Sequence, residues 1–411
     1  VSTVLRQQQG ETMGGRRSRW LPKALLVAGI VAALGLTACS SGRGNTGADK
    51  DGSAEQPAGQ AAPKPPAKIT LNPASGAADV SPGAPVTVTV ADGTIESLTL
   101  TNQAGKQVIG QLSPDSTTWT VGEPLGYSKT YTWAGTAKGV DGTPAPISGS
   151  FTTVTPARQI DASLNVGDGK TYGVGMPIGI TFDRDVTDKA AVQKALTVTT
   201  SVPTEGAWAW LDDRTAHWRP KVYWAPNTHV TLTAKLYGLP FGNGAFGAED
   251  RTANFTIGRS QIVKANTQTH RIQVIANGVQ TADFAASFGL ESDQGRVTNS
   301  GTHIVMSKHE TYSMSNPKYN YTDVVVPWAV RISNNGEFIH GYGPSVWAQG
   351  KKNVSHGCVN LSPTNAKLYF DSAMTGDPVE IVGSTQQLGA EDGDYYDWAL
   401  TWDQWIAKSA A

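Results

Sequence analysis

Cysteine is nearly absent. Cys39 and Cys358 are the two in 411 residues, too few for the disulfide framework of a small exported fold. The count alone leaves one bridge between them open, but each stands in its own short motif with its own chemistry. Charge is also scarce: 33 Lys and Arg against 34 Asp and Glu give a net of −1, and charged residues are 16% of the chain. That excludes the basic domain or stripe of a nucleic-acid binder. The apolar run from Ala24 to Leu36 is 13 residues, short of the ~20 that a membrane-spanning helix needs. Residues 40–68 contain no Val, Ile, Leu, Met, Phe, Trp or Tyr, so nothing there offsets the entropy of folding, and the segment reads as a disordered tether. Gly (45) and Pro (23) are instead plentiful. With them come short alternating runs such as TVTV, LTLT and TVTT, the texture of a mainly β protein with many turns.

Arg16, Arg17, Arg19 and Lys23 precede the apolar run, which makes residues 1–38 a secretory signal. Arg16-Arg17 with Trp20-Leu21 is faintly similar to a twin-arginine signal, and translation could begin at Val1 or at Met13. The run closes on Leu36-Thr37-Ala38-Cys39, which resembles a bacterial lipobox. The resemblance implies cleavage before Cys39 and its acylation, giving a protein anchored by lipid to the outer face of the cell membrane, in contact with the wall. Two or more acyl chains hold stably where a single chain holds marginally. Residues 39–68 would then be the lipidated cysteine and its linker.

Short strands alternate with turn signals over 69–156, clearest at 85–90, 96–101, 130–136 and 147–154. The pattern returns over 157–258, where Gly175-Met176-Pro177-Ile178 parallels Gly83-Ala84-Pro85-Val86 and Phe255-Thr256 parallels Phe151-Thr152. Two modules of this kind suit a pair of immunoglobulin-like β-sandwiches, acting as spacers and packing partners. His217 lies among Trp208, Trp210, Trp218 and Trp224. A carbohydrate platform is one reading, but aromatics at two-residue spacing on a strand favour a core face. A third domain, 259–384, opens with a hairpin turned at Asn277-Gly278. Strands continue at 302–305, 323–326 and 338–340. A helix follows over 363–374, with Ser362 as N-cap and Pro363 at the first helical position. Residues 385–411 form a Trp-rich extension in which Trp398, Trp402 and Trp405 share one face of a short helix, docked on the preceding domains.

Chemistry concentrates in Phe338-Ile339-His340-Gly341 and Ser355-His356-Gly357-Cys358-Val359-Asn360. A lone cysteine kept outside the cell beside Ser, His and Gly suggests a reactive thiolate, whose pKa a neighbouring imidazolium can lower. Gly357 permits a tight turn in which successive N–H groups converge on an oxyanion. Zinc held by His340, His356 and Cys358 lacks a fourth ligand nearby. Papain-like peptidases place cysteine before histidine. Sortases use a longer gap and an arginine after the cysteine, whereas no arginine follows Arg331 here.

This arrangement resembles the YkuD-like L,D-transpeptidase domain: a histidine, a gap of fourteen to seventeen residues, then Ser/Thr-His-Gly-Cys, a hydrophobic residue and Asn or Arg. The gap from His340 to Ser355 and the closing Val359-Asn360 match it. The lipobox, two immunoglobulin-like modules and Trp-rich tail make the whole similar to the actinobacterial, mycobacterial-type members. The resemblance implies a β-rich catalytic domain with a short helix and an acyltransferase needing no cofactor or metal. Its substrates would be peptidoglycan stem peptides, a donor tetrapeptide and an acceptor, joined in 3→3 cross-links between meso-diaminopimelate residues. It also implies covalent inhibition by carbapenem-type β-lactams. Cys358 would be the nucleophile, His340 the base and Gly341 the carbonyl that orients it. The backbone N–H groups of His356, Gly357 and Cys358 would form the oxyanion hole. Ser355, Asn360, Asn335 and Gly336 fall where the family binds substrate, and Tyr321 stands as the aromatic of a flap over the cleft. An L,D-carboxypeptidase, using water to resolve the same thioester, or a non-catalytic wall-binding lipoprotein are the alternatives.

Overall fold

Alternating small and branched residues along Thr87–Ala91 bury Val88 and Val90 and expose the residues between them, as a one-sided strand requires. In this computed structural model, which describes residues 64–393 and 395–410, such strands assemble into successive β units. Cys39, the signal segment and most of the linker lie outside the described residues. The first unit faces a four-stranded sheet (Lys68–Asn72, Thr87–Ala91, Thr118–Val121, Gly110–Leu112) against a three-stranded one (Gly93–Asn102, Thr130–Gly139, Pro144–Thr152). Val86, Val88, Leu100, Trp119, Trp133 and Phe151 fill the space between.

The second unit sets Gly206–Trp210, Thr215–Pro220, Ile178–Phe182 and Ala162–Leu164 over a second sheet built around His229–Ala234 and Arg251–Ile257. Trp208, Trp210, Trp218 and Trp224 are all buried in its core, so they make no exposed sugar platform. A short helix, Lys189–Lys194, which the strand pattern does not anticipate, starts where the Asp188 carboxylate accepts the Ala191 N–H.

The third unit begins with the expected hairpin. Arg271–Ala276 returns as Val279–Ala285 through Asn277 and Gly278, both at positive φ (50° and 81°), as a type I′ turn demands. These strands continue through Gln261–Asn266 and Pro378–Val382 to Gly301–Ile304 in a five-stranded sheet. A second sheet runs Ser307–Asn316, Tyr321–Arg331, Phe338–Gly341, Val359–Leu361. Helix Pro363–Ser372 starts at Ser362, whose hydroxyl accepts the Asn365 N–H, and drives Ala366 and Tyr369 into the core between the sheets.

The C-terminal tryptophans do not share one helix. Thr401 forms a capping box with Gln404 and starts the helix Trp402–Ile406 afresh, leaving Trp398 on a separate 3-10 turn, Asp397–Ala399. The rings converge nonetheless, all three stacking around the Arg219 guanidinium at 4.6–5.4 Å. Among the described residues no helix is long and apolar enough to cross a membrane.

Candidate active site

Phe338–Gly341 is buried throughout and pairs in parallel with Val359–Leu361, placing His340 opposite Asn360. Cys358 lies in the bend that leads into Val359–Leu361, two residues before Asn360. All three line one cleft of about 350 Å³ with Tyr321, Tyr342 and Trp347. The turn into Cys358 needs glycine, because Gly357 has φ +112°, a region a β-carbon disfavours.

His340 is 4% exposed, and its Nδ1 lies 3.0 Å from the Gly341 carbonyl oxygen. A carbonyl only accepts, so Nδ1 carries the hydrogen and Nε2 keeps its lone pair. Burial lowers the His340 pKa to about 4, against the opposing pull of that carbonyl. Cys358 is a free thiol. Burial pushes it up to about 12, with the Phe338 N–H acting downward and the Glu337 charge upward. Both shifts favour a neutral thiol and a neutral imidazole. Burial acts against the thiolate and imidazolium that the sequence suggests, because it penalises both charged forms.

Other anticipated residues take more specific places. Ser355 Oγ donates to the Cys358 carbonyl (2.6 Å) and accepts the Gly357 N–H (3.2 Å). The Gly357 amide is thereby engaged within its own turn. The Asn335 side chain turns away from the cleft and donates to Asp392 at 3.1 Å, because a buried carboxylate there needs donors. Gly336 meets Cys358 through its carbonyl, 3.8 Å from Sγ. Tyr321, from the hairpin over the cleft, lies 5.2 Å from the His356 ring, and its neighbour Tyr319 lies 5.0 Å from the same ring. His217 is buried in the second unit, 2.8 Å from Asp397. Among the described residues no three His, Cys, Asp or Glu side chains converge as a metal site requires.

Two supports carry no motif. Arg296 donates to the carbonyls of Ser355 (3.0 Å) and Val354 (2.5 Å), and Thr298 Oγ1 donates to the Gly357 carbonyl (2.7 Å). Together they hold the nucleophile loop from behind. The only trace in the sequence is an arginine and a threonine two residues apart in a polar loop.

Residues 77–240 match the model of a bacterial Ig domain, and residues 260–381 match that of the L,D-transpeptidase catalytic domain. The chain is 51% identical to L,D-transpeptidase 5 of Mycobacterium tuberculosis over 353 residues, covering 85% of this chain and 78% of that one. With L,D-transpeptidase 2 of the same organism identity is 37% across 96% of both chains. Among solved structures, LD transpeptidase LdtMt1 in complex with imipenem matches 55% of this chain and 100% of its own at 33% identity, with a TM-score of 0.47. With a cysteine and an oriented histidine in one cleft and relatives matched over most of their length, the chain belongs to the L,D-transpeptidase family.

Proposed function

We infer that this protein is a peptidoglycan L,D-transpeptidase that joins stem peptides through a thioester on Cys358. The observation that carries the reading is the fixed tautomer of His340, whose Nδ1–H on the Gly341 carbonyl leaves Nε2 free in the cleft that Cys358 lines. His340 takes the thiol proton as sulfur attacks the carbonyl of the donor's third residue, meso-diaminopimelate. The oxyanion is met by the amides of His356 and Cys358. The C–N bond breaks, His340 returns the proton to the leaving amine, and D-Ala departs. The side-chain amine of a second stem then attacks the thioester and gives its proton to His340. Sulfur leaves as thiolate and recovers that proton, and a 3→3 cross-link remains. The amide's energy is conserved in the thioester, so the step balances without a nucleotide. Tyr321 and Asn360 border the donor stem. Carbapenem-type β-lactams acylate the same sulfur, a reading supported by the imipenem complex of a relative.

Attachment is a separate proposal: Cys39 carries acyl lipid that holds the enzyme at the outer face of the membrane, with the linker as spacer. It is supported by Leu36-Thr37-Ala38-Cys39 after a basic segment. Cys39→Ala should shift the protein from the membrane fraction, and unchanged fractionation with no lipid mass would contradict it.

The activity is tested by weighing products from a tetrapeptide stem with and without an acceptor. Cross-linked dimers with release of D-Ala support it. Tripeptide alone, at an undiminished rate in the presence of acceptor, would make the enzyme a carboxypeptidase.

A further inference from the structure

Beneath the nucleophile loop lies a buried acid–base pair for which the transpeptidase chemistry has no use. Glu337, 3% exposed, precedes the strand bearing His340, and its Oε1 accepts the Asn299 backbone N–H at 2.9 Å. Its Oε2 is buried, meets no hydrogen-bond donor, and lies 3.6 Å from Nδ1 of His303, a fully buried ring whose Nδ1 is equally without partner. The ring's other nitrogen fixes the tautomer. Nε2 is 2.9 Å from the Asn299 carbonyl oxygen, which can only accept, so Nε2 carries hydrogen. A neutral His303 therefore presents a lone pair to Glu337, and an ionised Glu337 presents one back. In a dry site these face each other only with a proton between them. A single proton placed between them would satisfy both atoms and leave the pair with no net charge. Burial raises the Glu337 carboxyl, Asp392 adds to this, and His303, the Asn299 N–H and Ser333 oppose it.

The pair also touches the nucleophile. Gly336, just before Glu337, receives the Cys358 S–H on its carbonyl, and the Phe338 N–H, just after, acts to lower the thiol pKa. A β-carbon on Gly357 would stand 3.8 Å from Glu337 Cγ, so this side chain lies against the turn before Cys358. We propose that His303 and Glu337 form a one-proton positioning unit for Cys358. It holds the 333–338 segment against the sulfur and offsets the Glu337 carboxylate with the shared proton. The proposal rests on Cys358 as nucleophile and is independent of the substrate. The other titratable groups facing the pair are Cys358 itself and Asp392, which accepts from the side-chain amides of Asn299 (2.8 Å) and Asn335 (3.1 Å).

Alkylation of Cys358 by iodoacetamide, followed by intact-protein mass spectrometry across pH, reads the thiol directly. In His303→Leu the Glu337 carboxyl stands alone, so whatever charge it acquires as pH rises is uncompensated. Its charge then opposes the thiolate, and alkylation falls behind the parent by about tenfold, one pKa unit, at the alkaline end and by less at the acid end. His303→Leu with Glu337→Gln removes that charge and abolishes the pH dependence of the deficit. Glu337→Leu slows alkylation by loosening the 333–338 segment, and Glu337→Gln, whose amide N–H stands in for the shared proton, recovers that loss. A folded His303→Leu protein that alkylates like the parent at every pH would overturn the proposal. So would a deficit that is independent of pH and persists in the double variant, the mark of packing alone. If His303→Leu does not fold, the two Glu337 variants decide: a normally melting Glu337→Gln protein that alkylates as slowly as Glu337→Leu overturns the proposal. All readouts are of the thiol, so they remain distinct from a failure to form cross-links.

Discussion

Burial opposes charge on both His340 and Cys358, lowering the imidazole to about 4 and pushing the thiol up to about 12. Acylation then needs only the neutral imidazole. Its rate should titrate in on a single ionisation near the His340 value and stay flat through neutrality, as stopped-flow measurement over pH will record. A resting ion pair would instead give rapid, pH-independent alkylation in the neutral range. The same shift carries a stability sign. Folded His340 sits below its unfolded value of 6.5, so the unfolded chain takes up the proton first as pH falls, and stability present above that value is lost towards about 4. Gly341 matters through space as well as through its carbonyl. A β-carbon there would come within 3.0 Å of Pro327 Cγ and 3.2 Å of Pro363 Cα. Gly341→Ser should keep the carbonyl contact yet lose about 1–3 kcal/mol to overpacking, visible as a lowered melting temperature with the His340 ionisation unmoved. Arg296→Ala removes two charge-assisted hydrogen bonds behind the nucleophile loop, each about 1.5–3 kcal/mol. It should slow acylation at constant melting cooperativity.

The hairpin over the cleft shows what an element adds. Ser307–Asn316 and Tyr321–Arg331 are joined by a 3-10 turn at Pro317–Tyr319, which starts at Asn316 and ends at Asn320 in the left-handed region. Its tip is tethered: Tyr319 OH donates to Asp293 at 3.1 Å, and the ring rests on His356 at 5.0 Å. Tyr319→Phe keeps the ring and drops the hydroxyl, a loss of about 0.5–1.5 kcal/mol. Amide exchange across 316–322 should rise while the sheet beneath stays protected. Local signals were legible here and elsewhere, as at the Asn277-Gly278 turn and the Ser362-Pro363 helix start, because each is decided within a few residues. Tyr321, which lines the cleft, was singled out from the sequence, but Tyr319 was not. Its role depends on Asp293 and His356, which only the folded chain brings near. Arg296 and Thr298 were hidden for the same reason, meeting the nucleophile loop across nearly sixty residues of sequence. No motif signals that the Gly357 amide donates to the Ser355 hydroxyl within its own turn.

At the scale of the molecule, the C-terminal segment ties the second β unit to the catalytic sheets. Trp398 Nε1 donates to the Gly175 carbonyl and Trp405 Nε1 to that of Ala207, while Asp392 accepts from Asn299 and Asn335 beside the site. The spacing of the tryptophans predicted docking but misjudged its form, because Thr401 caps a new helix between them. Buried Arg219 supplies what no periodicity reveals, a cation enclosed by three indole rings. Trp405 is fully buried, so Trp405→Ala should lower stability by about 3–5 kcal/mol in thermal melting, with Cys358 still able to be acylated below the transition.

The most direct test of the central claim is the mass of the enzyme quenched during turnover of a tetrapeptide donor. The account predicts a single adduct equal to the donor less D-Ala, mapped to Cys358, absent in Cys358→Ala and formed about 10²–10⁴-fold more slowly in His340→Ala. An adduct on another residue, or cross-linked product from Cys358→Ala at a comparable rate, would contradict it.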